Sequence, residues 1–343
     1  MKYKTEWKRR AIVLLGQGLT PQEVAVNEQI TSLIGHWGID VRKKKIWILA
    51  KEIRNSQTED KPAQPVKSFA STATFDEIKR EVAPHLYNPF NLPLPDHDVV
   101  ERFKLPIGCN NVLLLSDIHV PYHDIPALTT ALKYGKEQGI NTIYLNGDSI
   151  DFHGLSDFEK DPLLRSPDQE RDMLCNLLSV MREIFPNAQI YFKEGNHEKR
   201  WLRYIRNKAP LLEKFREFSL PCIFDFNKYG VHHIENTTIV EMGKLIVLHG
   251  HELYGSGGVM PARSLWMKVK CSAIMGHVHV PSEFSDKNIK DEFSTCWSTG
   301  CLSHLRPKYN PNSRYVHGFA HVTTDDNGNF NVRNFRIVNG KIC

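Results

Sequence analysis

Aspartate and histidine side chains recur in five short clusters whose residue types suit metal binding. The clusters read Asp117-Ile118-His119, Gly147-Asp148, Gly195-Asn196-His197-Glu198, His249-Gly250-His251 and Gly276-His277-Val278-His279. Carboxylate oxygen and imidazole nitrogen together form a ligand set that suits Mn, Fe, Ni or Zn better than Ca or Mg. The clusters supply seven candidate ligands, whereas one catalytic zinc takes about three or four. We therefore expect two divalent transition-metal ions that share one carboxylate.

Each cluster follows an apolar run that is rich in β-forming residues. The runs cover residues 111–116, 142–146, 189–193, 245–248 and 273–275. Continuous apolar strands of this kind are buried on both faces, and in α/β layers ligands collect beyond the carboxyl ends of the strands. The sequence therefore predicts that five strand ends converge on one pocket.

The five motifs, in this order, resemble the calcineurin-like metallophosphoesterase family, which includes protein phosphatases, purple acid phosphatases, cyclic-nucleotide phosphodiesterases and repair nucleases. The resemblance covers about residues 110–340. A lone Asp-x-His or Gly-His-x-His arises mostly by chance, so the five ordered motifs are far more specific than any one of them. The resemblance implies an α/β fold in which a β-sandwich is flanked by helices.

The resemblance also implies roles for individual residues. One metal takes Asp117, His119, Asp148 and His279, and the other takes Asp148, Asn196, His249 and His277, so that Asp148 is the bridge. His197 is implied to be the acid or charge stabiliser beside the leaving group, and Asp151 is implied to orient its imidazole. Mn²⁺ is the expected ion, with Fe, Ni or Zn as alternatives.

These roles agree with the chemistry of phosphate ester hydrolysis. Two cations roughly 3.5 to 4 Å apart hold a bridging hydroxide, lower its pKa and clamp the attacking and leaving oxygens at phosphorus. The leaving group needs a proton donor or a positive charge on the opposite side, a task that suits imidazole near neutral pH. His197 is the best candidate for that task.

The residues after Asp151 separate the possible substrates. Protein phosphatases of the family place Arg-Gly there, whereas this chain has Phe152-His153-Gly154, and its paired His277 and His279 are typical of the branch with nucleases and small phosphodiesterases. We expect hydrolysis of a phosphodiester in nucleic acid or a nucleotide by attack of the metal-bridging hydroxide. The alternatives are a phosphomonoesterase acting on a small metabolite or a phosphoprotein, and a non-enzymatic DNA-binding adaptor that keeps the fold as a scaffold.

Three further residues, two within the clusters and one beside them, have less specific roles. Arg200 is a candidate for phosphate contact, although a solvated helix face would explain it equally well. His251 is a candidate for substrate contact, with an ordinary packing histidine as the alternative. Glu198 is expected to cap the helix that begins near it.

The composition is that of a globular protein without a membrane span. Of the 343 residues, 24% are charged and 41% are hydrophobic, and no apolar run approaches the roughly 20 residues that cross a bilayer. The seven cysteines contain no Cys-x-x-Cys and stand apart from the five clusters, which argues against a thiolate zinc site. A cytoplasmic protein with reduced thiols is the expected interpretation, and the sequence does not indicate an oligomeric state.

The net charge of +5 is concentrated at the N-terminus. Residues 1–54 contain eleven Lys/Arg and five Asp/Glu, a balance of +6, and the remaining 33 Lys/Arg against 34 Asp/Glu leave −1. We predict three short helices there; a capping box, Thr20-Pro21-Gln22-Glu23, starts the second, and Thr31 starts the third. The segment resembles a homeodomain-like helix-turn-helix whose contacts to phosphates would come from Arg42, Lys43, Lys44 and Lys45. A small helical docking module with solvated lysines is the alternative.

The sequence predicts three segments along the chain. They are the helix-turn-helix-like domain over residues 1–54, a flexible linker over 55–74 and the metallophosphoesterase domain over 75–343. A polar stretch with a Ser/Thr/Ala-rich continuation is typical of such a linker. Within the last segment we predict a helix over 75–82, a helix over 168–185 and a C-terminal hairpin that turns at Asn327-Gly328.

Overall fold

The computed structural model of the chain describes residues 6–17, 19–34, 39–55, 89–90, 92, 102–157, 166–253, 255, 258–307 and 310–343. The chain divides into two compact units, Met1–Pro95 and Asp96–Cys343. The helix predicted over 75–82 and the predicted linker, apart from Asn55, lie outside the described residues. The predicted domain bounds therefore stay a prediction.

Helices make up the described part of the first unit. They are α1 (Glu6–Gly16), α2 (Pro21–Val26), α3 (Glu28–Ile34) and α4 (Ile39–Asn55). The predicted capping box is present, because Glu23 N donates to Thr20 Oγ1 at 3.4 Å and Thr20 N donates to Glu23 Oε2 at 2.7 Å. One buried apolar cluster joins the four helices. Its members include Trp7, Val24, Ile34 and Ile46.

The third helix starts earlier than the sequence predicts, and a fourth helix carries the basic run. Asn27, not Thr31, stands before α3, and its Oδ1 accepts the Gln29 N–H at 3.0 Å. Asn27 has the extended backbone (φ −63°, ψ 136°) that a cap requires, and asparagine is a strong capping residue. Thr31 lies inside α3, where its Oγ1 accepts from Arg42 Nη1 at 2.9 Å.

Two β-sheets form the second unit. Their strands are β1 (Arg102–Lys104), β2 (Asn111–Leu115), β3 (Thr142–Asn146), β4 (Gln189–Lys193), β5 (Val231–Ile234), β6 (Ile239–Met242), β7 (Leu245–Leu248), β8 (Ala273–Met275), β9 (Ser282–Lys287), β10 (Phe293–Ser298), β11 (His317–Thr324), β12 (Phe330–Val338) and β13 (Lys341–Ile342). One sheet has the order β13-β12-β11-β2-β3-β4-β5 and the other β1-β6-β7-β8-β10-β9. The pairs β2/β3, β3/β4 and β7/β8 are parallel, so the carboxyl ends of these strands lie at one edge of their sheet.

The five predicted strands are confirmed as β2, β3, β4, β7 and β8. Only β2 differs from its predicted bounds, because it ends at Leu115 instead of residue 116. The predicted hairpin is confirmed as the antiparallel pair β11/β12. Apolar composition and turn chemistry were therefore sufficient to locate the elements that precede the clusters.

The two sheets pack face to face, and helices cover the outer faces. Leu113 and Leu115 of β2 pack with the helices, whereas Val112 and Leu114 belong to the cluster between the sheets, as strand alternation requires. The helices are α5 (Ile125–Glu137), α6 (Pro167–Ile184), α7 (Lys199–Lys208), α8 (Leu220–Ile223), α9 (Phe226–Tyr229) and α10 (Pro261–Val269). α6 confirms the helix predicted over 168–185. The architecture is the expected α/β sandwich flanked by helices.

No helix in the described part of the chain is long and apolar enough to cross a bilayer. All seven cysteines are free thiols. Cys109, Cys296 and Cys301 are buried, and Cys343 is exposed.

Candidate metal centre

The seven predicted metal ligands come together beyond the carboxyl ends of β2, β3, β4, β7 and β8. Asp117, Asp148 and His249 are at most 1% exposed. Six of these residues form two groups, and within each group the ligand atoms lie within 4.8 Å of one another. They are Asp117, His119 and His279, and Asp148, His249 and His277. The predicted convergence of five strand ends on one pocket is thus present in the structure.

In the first group, two imidazoles and a carboxylate face one another. His119 Nε2 lies 3.2 Å from His279 Nε2, and His279 Nε2 lies 3.2 Å from Asp117 Oδ1. Three ligand atoms this close together can all direct lone pairs at one cation, and imidazole with carboxylate is a common donor set for divalent transition metals.

Asp148 connects the two groups. Its Oδ2 lies 3.2 Å from His249 Nε2 and 3.8 Å from His119 Nε2. Asn196 adds an oxygen on the same side, since its Oδ1 lies 3.2 Å from His249 Nε2. One carboxylate oxygen therefore faces both groups, which is the arrangement that a shared ligand needs.

Five of the seven predicted ligands have a left-handed backbone. The φ angle is 57° at Asp117, 50° at His119, 51° at Asp148, 67° at His277 and 58° at His279. Such conformations are uncommon outside glycine, cost roughly 1–3 kcal/mol each and cluster at functional sites. This concentration of strained backbone is typical of functional sites, and it is an observation separate from the motifs.

Glycines let the ligand-bearing loops approach one another. Gly147 has a φ of 90°, and a Cβ there would lie 2.5 Å from His249 Nδ1. A Cβ on Gly195 would collide with the carboxylate and backbone of Asp148. The Gly-Asp and Gly-Asn motifs therefore need glycine because loops from different strands touch at these positions.

The carboxylates of the site attract positive charge strongly. Burial opposes ionisation of Asp117 and Asp148, yet neighbouring imidazoles hold the pKa of both carboxyls below its ordinary value. Burial likewise opposes protonation of His249, but the carboxylates of Asp148 and Asp117 raise its pKa to about 10. Divalent cations would supply this positive charge and displace the ring protons.

Two of the imidazoles have a ring nitrogen that is available to bind a cation. His249 Nδ1 donates to Asn146 O at 2.7 Å, which leaves Nε2 as the ligand atom. His277 Nδ1 is buried and has no hydrogen-bond partner among the described residues. Because buried polar atoms without partners are rare, this nitrogen and the charge of the carboxylates together show that the residues fit a pair of divalent cations.

Asp151 contacts a second imidazole besides the one that the resemblance implies. Its Oδ1 lies 3.1 Å from His197 Nδ1 and 3.1 Å from His119 Nδ1. The carboxylate accepts the His119 Nδ1–H, and the main-chain oxygen of Asp151 accepts the His197 Nδ1–H at 2.8 Å. Asp151 therefore sets both tautomers and leaves each Nε2 facing the pocket. The ligand atoms of His119, Asp151 and His197 also lie within 4.8 Å of one another, and these contacts of both imidazoles with Asp151 account for that closeness.

The Arg200 guanidinium lies against His197 and Asp151. Its Nη1 donates to Asp151 O at 2.7 Å, and its Nη2 lies 3.1 Å from His197 Nε2. The side chain is 11% exposed, so the solvated helix face is not its environment. Arg200 therefore lies beside the nitrogen that is predicted to serve the leaving group, and its contact with substrate stays a prediction.

Glu198 does not cap the helix that follows it. Its side chain makes no cap hydrogen bond to α7. Its buried carboxylate instead accepts the backbone N–H groups of Asp148 (3.0 Å), Ser149 (2.7 Å), Ile150 (3.3 Å) and Gly195 (2.7 Å). The sequence-based expectation was wrong because three of these four donors come from the loop after β3, which is distant in sequence. Glu198 holds the loop that carries Asp148.

A second, half-buried carboxylate supports the loop after β7. Glu252 accepts the His249 N–H at 3.1 Å and pairs at 3.2 Å with Lys193, which is fully buried. His251, in the same loop, donates from Nε2 to Asn236 Oδ1 at 3.1 Å. Burial lowers the pKa of His251 to about 4, so its ring is neutral near pH 7. Its contact with substrate also stays a prediction.

Glu170 supports the Asp151 loop, and no motif in the sequence indicated it. It lies on the buried face of α6, is 1% exposed and accepts the Phe152 N–H at 2.7 Å. Phe152 itself has a left-handed backbone with a φ of 48°. The one signal in the sequence is a glutamate on the apolar face of a predicted helix, which includes Leu174 and Leu178.

Glu170 should make the protein less stable as pH rises. Burial, together with the Asp151 carboxylate, raises its pKa to about 7 in the folded protein, against an ordinary value of 4.5. The unfolded chain therefore releases this proton first, and the free energy of unfolding should decline between pH 4.5 and about 7 by on the order of 3 kcal/mol. We expect Glu170→Gln to remove this decline in urea titrations of metal-free protein. Glu183→Gln, an exposed site on the same helix, is the control, and an unaltered decline in Glu170→Gln would contradict the prediction.

The predicted nucleic-acid contacts lie in the first unit, on α4. Lys43, Lys44 and Lys45 are exposed, whereas Arg42 is half-buried. The Arg42 guanidinium is engaged with Thr31, which leaves fewer of its donors for a phosphate. All four stay predicted contacts.

The comparisons with known proteins concern the second unit. The family model of the calcineurin-like phosphoesterases matches residues 111–318, more than half of the chain, and this range includes all seven predicted ligands. A comparison with curated proteins gives no match. Among solved structures, Yfce, a phosphoesterase from E. coli, is similar over 65% of this chain and 98% of its own, with 13% identity and a TM-score of 0.30. From the family match, this chain belongs to the calcineurin-like phosphoesterase family.

Proposed function

We propose that this chain is a dinuclear-metal phosphoesterase that hydrolyses a phosphodiester in nucleic acid or a nucleotide. The position of Asp148 Oδ2 between the two ligand groups, 3.2 Å from His249 Nε2 and 3.8 Å from His119 Nε2, carries the proposal. One cation would be held by Asp117, His119, Asp148 and His279, and the other by Asp148, Asn196, His249 and His277. The chemistry that such a pair supplies when bound is activation of water and neutralisation of charge at phosphorus. We propose Mn²⁺, with Fe, Ni or Zn as ions that the same donor set accepts.

His197 is proposed to protonate the leaving oxygen. Its Nδ1 donates to the main-chain oxygen of Asp151 at 2.8 Å, and its Nε2 lies 3.7 Å from Asp148 Oδ2 and thus faces the centre. Burial lowers the pKa of His197, but Asp148 and Asp151 outweigh burial and raise it above the ordinary value. Arg200, beside Nε2, would hold the negative charge that develops on the same oxygen.

The surroundings of Asp151 favour a diester over a monoester. A phosphomonoester carries a charge of about −1.5 to −2 near pH 7, and a diester carries a single negative charge. The position after Asp151, where protein phosphatases have arginine, is occupied by Phe152, whose ring packs against Trp201 and Phe224 with centroids 6.2 and 6.1 Å apart. A monoester would lack a cation at this position for its second charge.

The proposal can be tested by a substrate screen. The full chain, loaded with Mn²⁺, would be assayed against labelled single- and double-stranded DNA, RNA, cyclic nucleotides, phosphopeptides and a panel of phosphomonoesters. We expect diesters to be cleaved with a higher kcat/KM than monoesters. Faster turnover of a monoester would support the phosphomonoesterase alternative. No turnover of any substrate, with both metals bound, would support the non-enzymatic adaptor.

The first unit is proposed to add affinity for nucleic acid. Residues 1–54 carry the charge balance of +6, and Lys43 and Lys44 are exposed on α4. Each lysine that neutralises a phosphate of B-form DNA contributes about −0.9 to the slope of log affinity against log salt. We therefore expect Lys43→Ala/Lys44→Ala to flatten the slope by about 1.8 and to leave hydrolysis of a small chromogenic phosphodiester unchanged. An unaltered slope would favour the helical docking module instead.

A further inference from the structure

The segment between β10 and β11 is attached to the metal centre at both ends, and all of its charged residues are basic. It comprises residues 299–316 and contains Arg306, Lys308 and Arg314, while no Asp or Glu occurs between Glu292 and Asp325. Residues 55–343 as a whole hold 33 Lys/Arg and 34 Asp/Glu. The excess of positive charge in this segment is therefore a local feature.

Both ends of the segment are fixed to the metal centre. Leu302 N donates to Asp117 O at 3.1 Å, and Val316 N donates to His279 O at 2.9 Å. The ring of Tyr315 packs edge-on against the imidazole of His279, with centroids 4.3 Å apart. Because Asp117 and His279 belong to the same ligand group, the segment borders that side of the centre.

A hydrogen bond across the neck of the segment brings together the backbone next to its two described arginines. Ser313 Oγ donates to Leu305 O, and these two residues immediately precede Arg314 and Arg306. The Asn310 N–H also donates to Pro307 O at 2.9 Å. Arg306 and Arg314 therefore start from neighbouring parts of the backbone, and both are exposed.

Their positive charges are not neutralised within the described part of the chain, where neither arginine forms an ion pair. The carboxylate of Asp124 lies beside the segment, but its Oδ1 caps α5 by accepting the Ala127 N–H at 2.8 Å, and its Oδ2 lies 4.0 Å from His317 Nε2. His304 adds a third donor. Its Nδ1 accepts the Arg306 N–H at 3.1 Å, so a neutral ring carries its proton on the outer Nε2.

We infer that Arg306, Arg314 and His304 form a second phosphate subsite, and that the substrate is a polynucleotide strand whose neighbouring phosphate binds there; the inference rests on the proposed phosphodiesterase function. Guanidinium groups bind phosphate through paired, charge-assisted hydrogen bonds. A cyclic nucleotide or a nucleoside monophosphate has no neighbouring phosphate for such a subsite. A strand has one beside each bond that can be cleaved, so the subsite would select polymers.

The test compares two charge-matched double variants of the full chain. Arg306→Ala/Arg314→Ala removes the subsite, and Lys290→Ala/Arg333→Ala removes two exposed charges from the β9–β10 turn and from β12. Each protein would be assayed on a short single-stranded oligonucleotide and on bis(p-nitrophenyl) phosphate. We expect the first variant to show a decrease of about tenfold in kcat/KM on the oligonucleotide, mainly through KM, and no change on the small diester. The control should match wild type on both substrates.

Binding to the metal-free proteins gives a readout that does not depend on turnover. In fluorescence anisotropy with the same oligonucleotide, the subsite variant should flatten the salt slope by about 0.7 for each phosphate that it no longer neutralises. Equal affinity and slope in the two variants would overturn the subsite. If the small diester is not hydrolysed by any loaded protein, the proposed function fails, and the anisotropy comparison still decides whether the subsite exists.

Discussion

Asp148→Asn is expected to lower the occupancy of both metals and to abolish turnover. The substitution removes the one carboxylate oxygen that faces both His119 and His249, and a neutral amide bridges two cations poorly. Replacing a residue that only orients a metal ligand lowers metal affinity or activity by about 10- to 100-fold. Replacing a ligand that bridges both metals should therefore lower them more. Elemental analysis of protein dialysed against limiting Mn²⁺ would give the occupancy, and treatment with a chelator should abolish wild-type activity.

The same exchange at an exposed carboxylate provides the control. Asp172→Asn lies on the exposed face of α6 and should leave both metals and the activity unchanged. Thermal unfolding of the metal-free proteins would show whether Asp148→Asn remains folded. Full activity of wild-type protein with one metal or none would contradict the dinuclear assignment.

His197→Ala is expected to keep both metals and to slow poor leaving groups far more than p-nitrophenolate. General acid catalysis contributes roughly 10²- to 10⁴-fold, and p-nitrophenolate needs little protonation to leave. Metal should be retained because Asn196, not His197, is the proposed ligand near His249, with its Oδ1 3.2 Å from His249 Nε2. The measurement is kcat/KM across a series of diesters with leaving groups of different basicity.

His232→Ala, at an exposed histidine on β5, is the control for this series. Equal slowing of good and poor leaving groups by His197→Ala would remove the acid role. Asp151→Asn should show a weaker form of the same pattern, because Asp151 only orients the imidazole. It should also lower metal occupancy, since the same carboxylate orients His119, an effect that His197→Ala should not show.

Much of this centre could be predicted because each strand and the candidate ligands after it form one short, continuous stretch of sequence. An apolar run of three to five residues that precedes Asp, Asn or His indicates both a buried strand and a candidate ligand beyond its end. For this reason β3, β4, β7 and β8 were predicted with their observed bounds. The third helix of the first unit was predicted to start at Thr31, later than it does. Asn27 and Thr31 are both favourable N-cap residues, and local patterns alone did not distinguish them.

The supporting contacts could not be predicted, because each joins residues far apart in the chain. Glu170 reaches the Phe152 N–H across 18 residues, and Glu198 reaches Asp148 across 50. Neither glutamate has a sequence neighbour that reveals its partner, so a helix cap was the simplest prediction for Glu198.

By itself, the sequence determined the strands and the types and order of the proposed ligands, since each of these depends on side chains that are adjacent in the chain. Only the tertiary structure decided that Asp148 faces both ligand groups, that Asp151 orients two imidazoles and that Ser313 closes a basic loop beside His279. These features depend on how loops from separate strands meet. Burial in the shared pocket leaves their polar groups without water, so each group must find its partner in another loop.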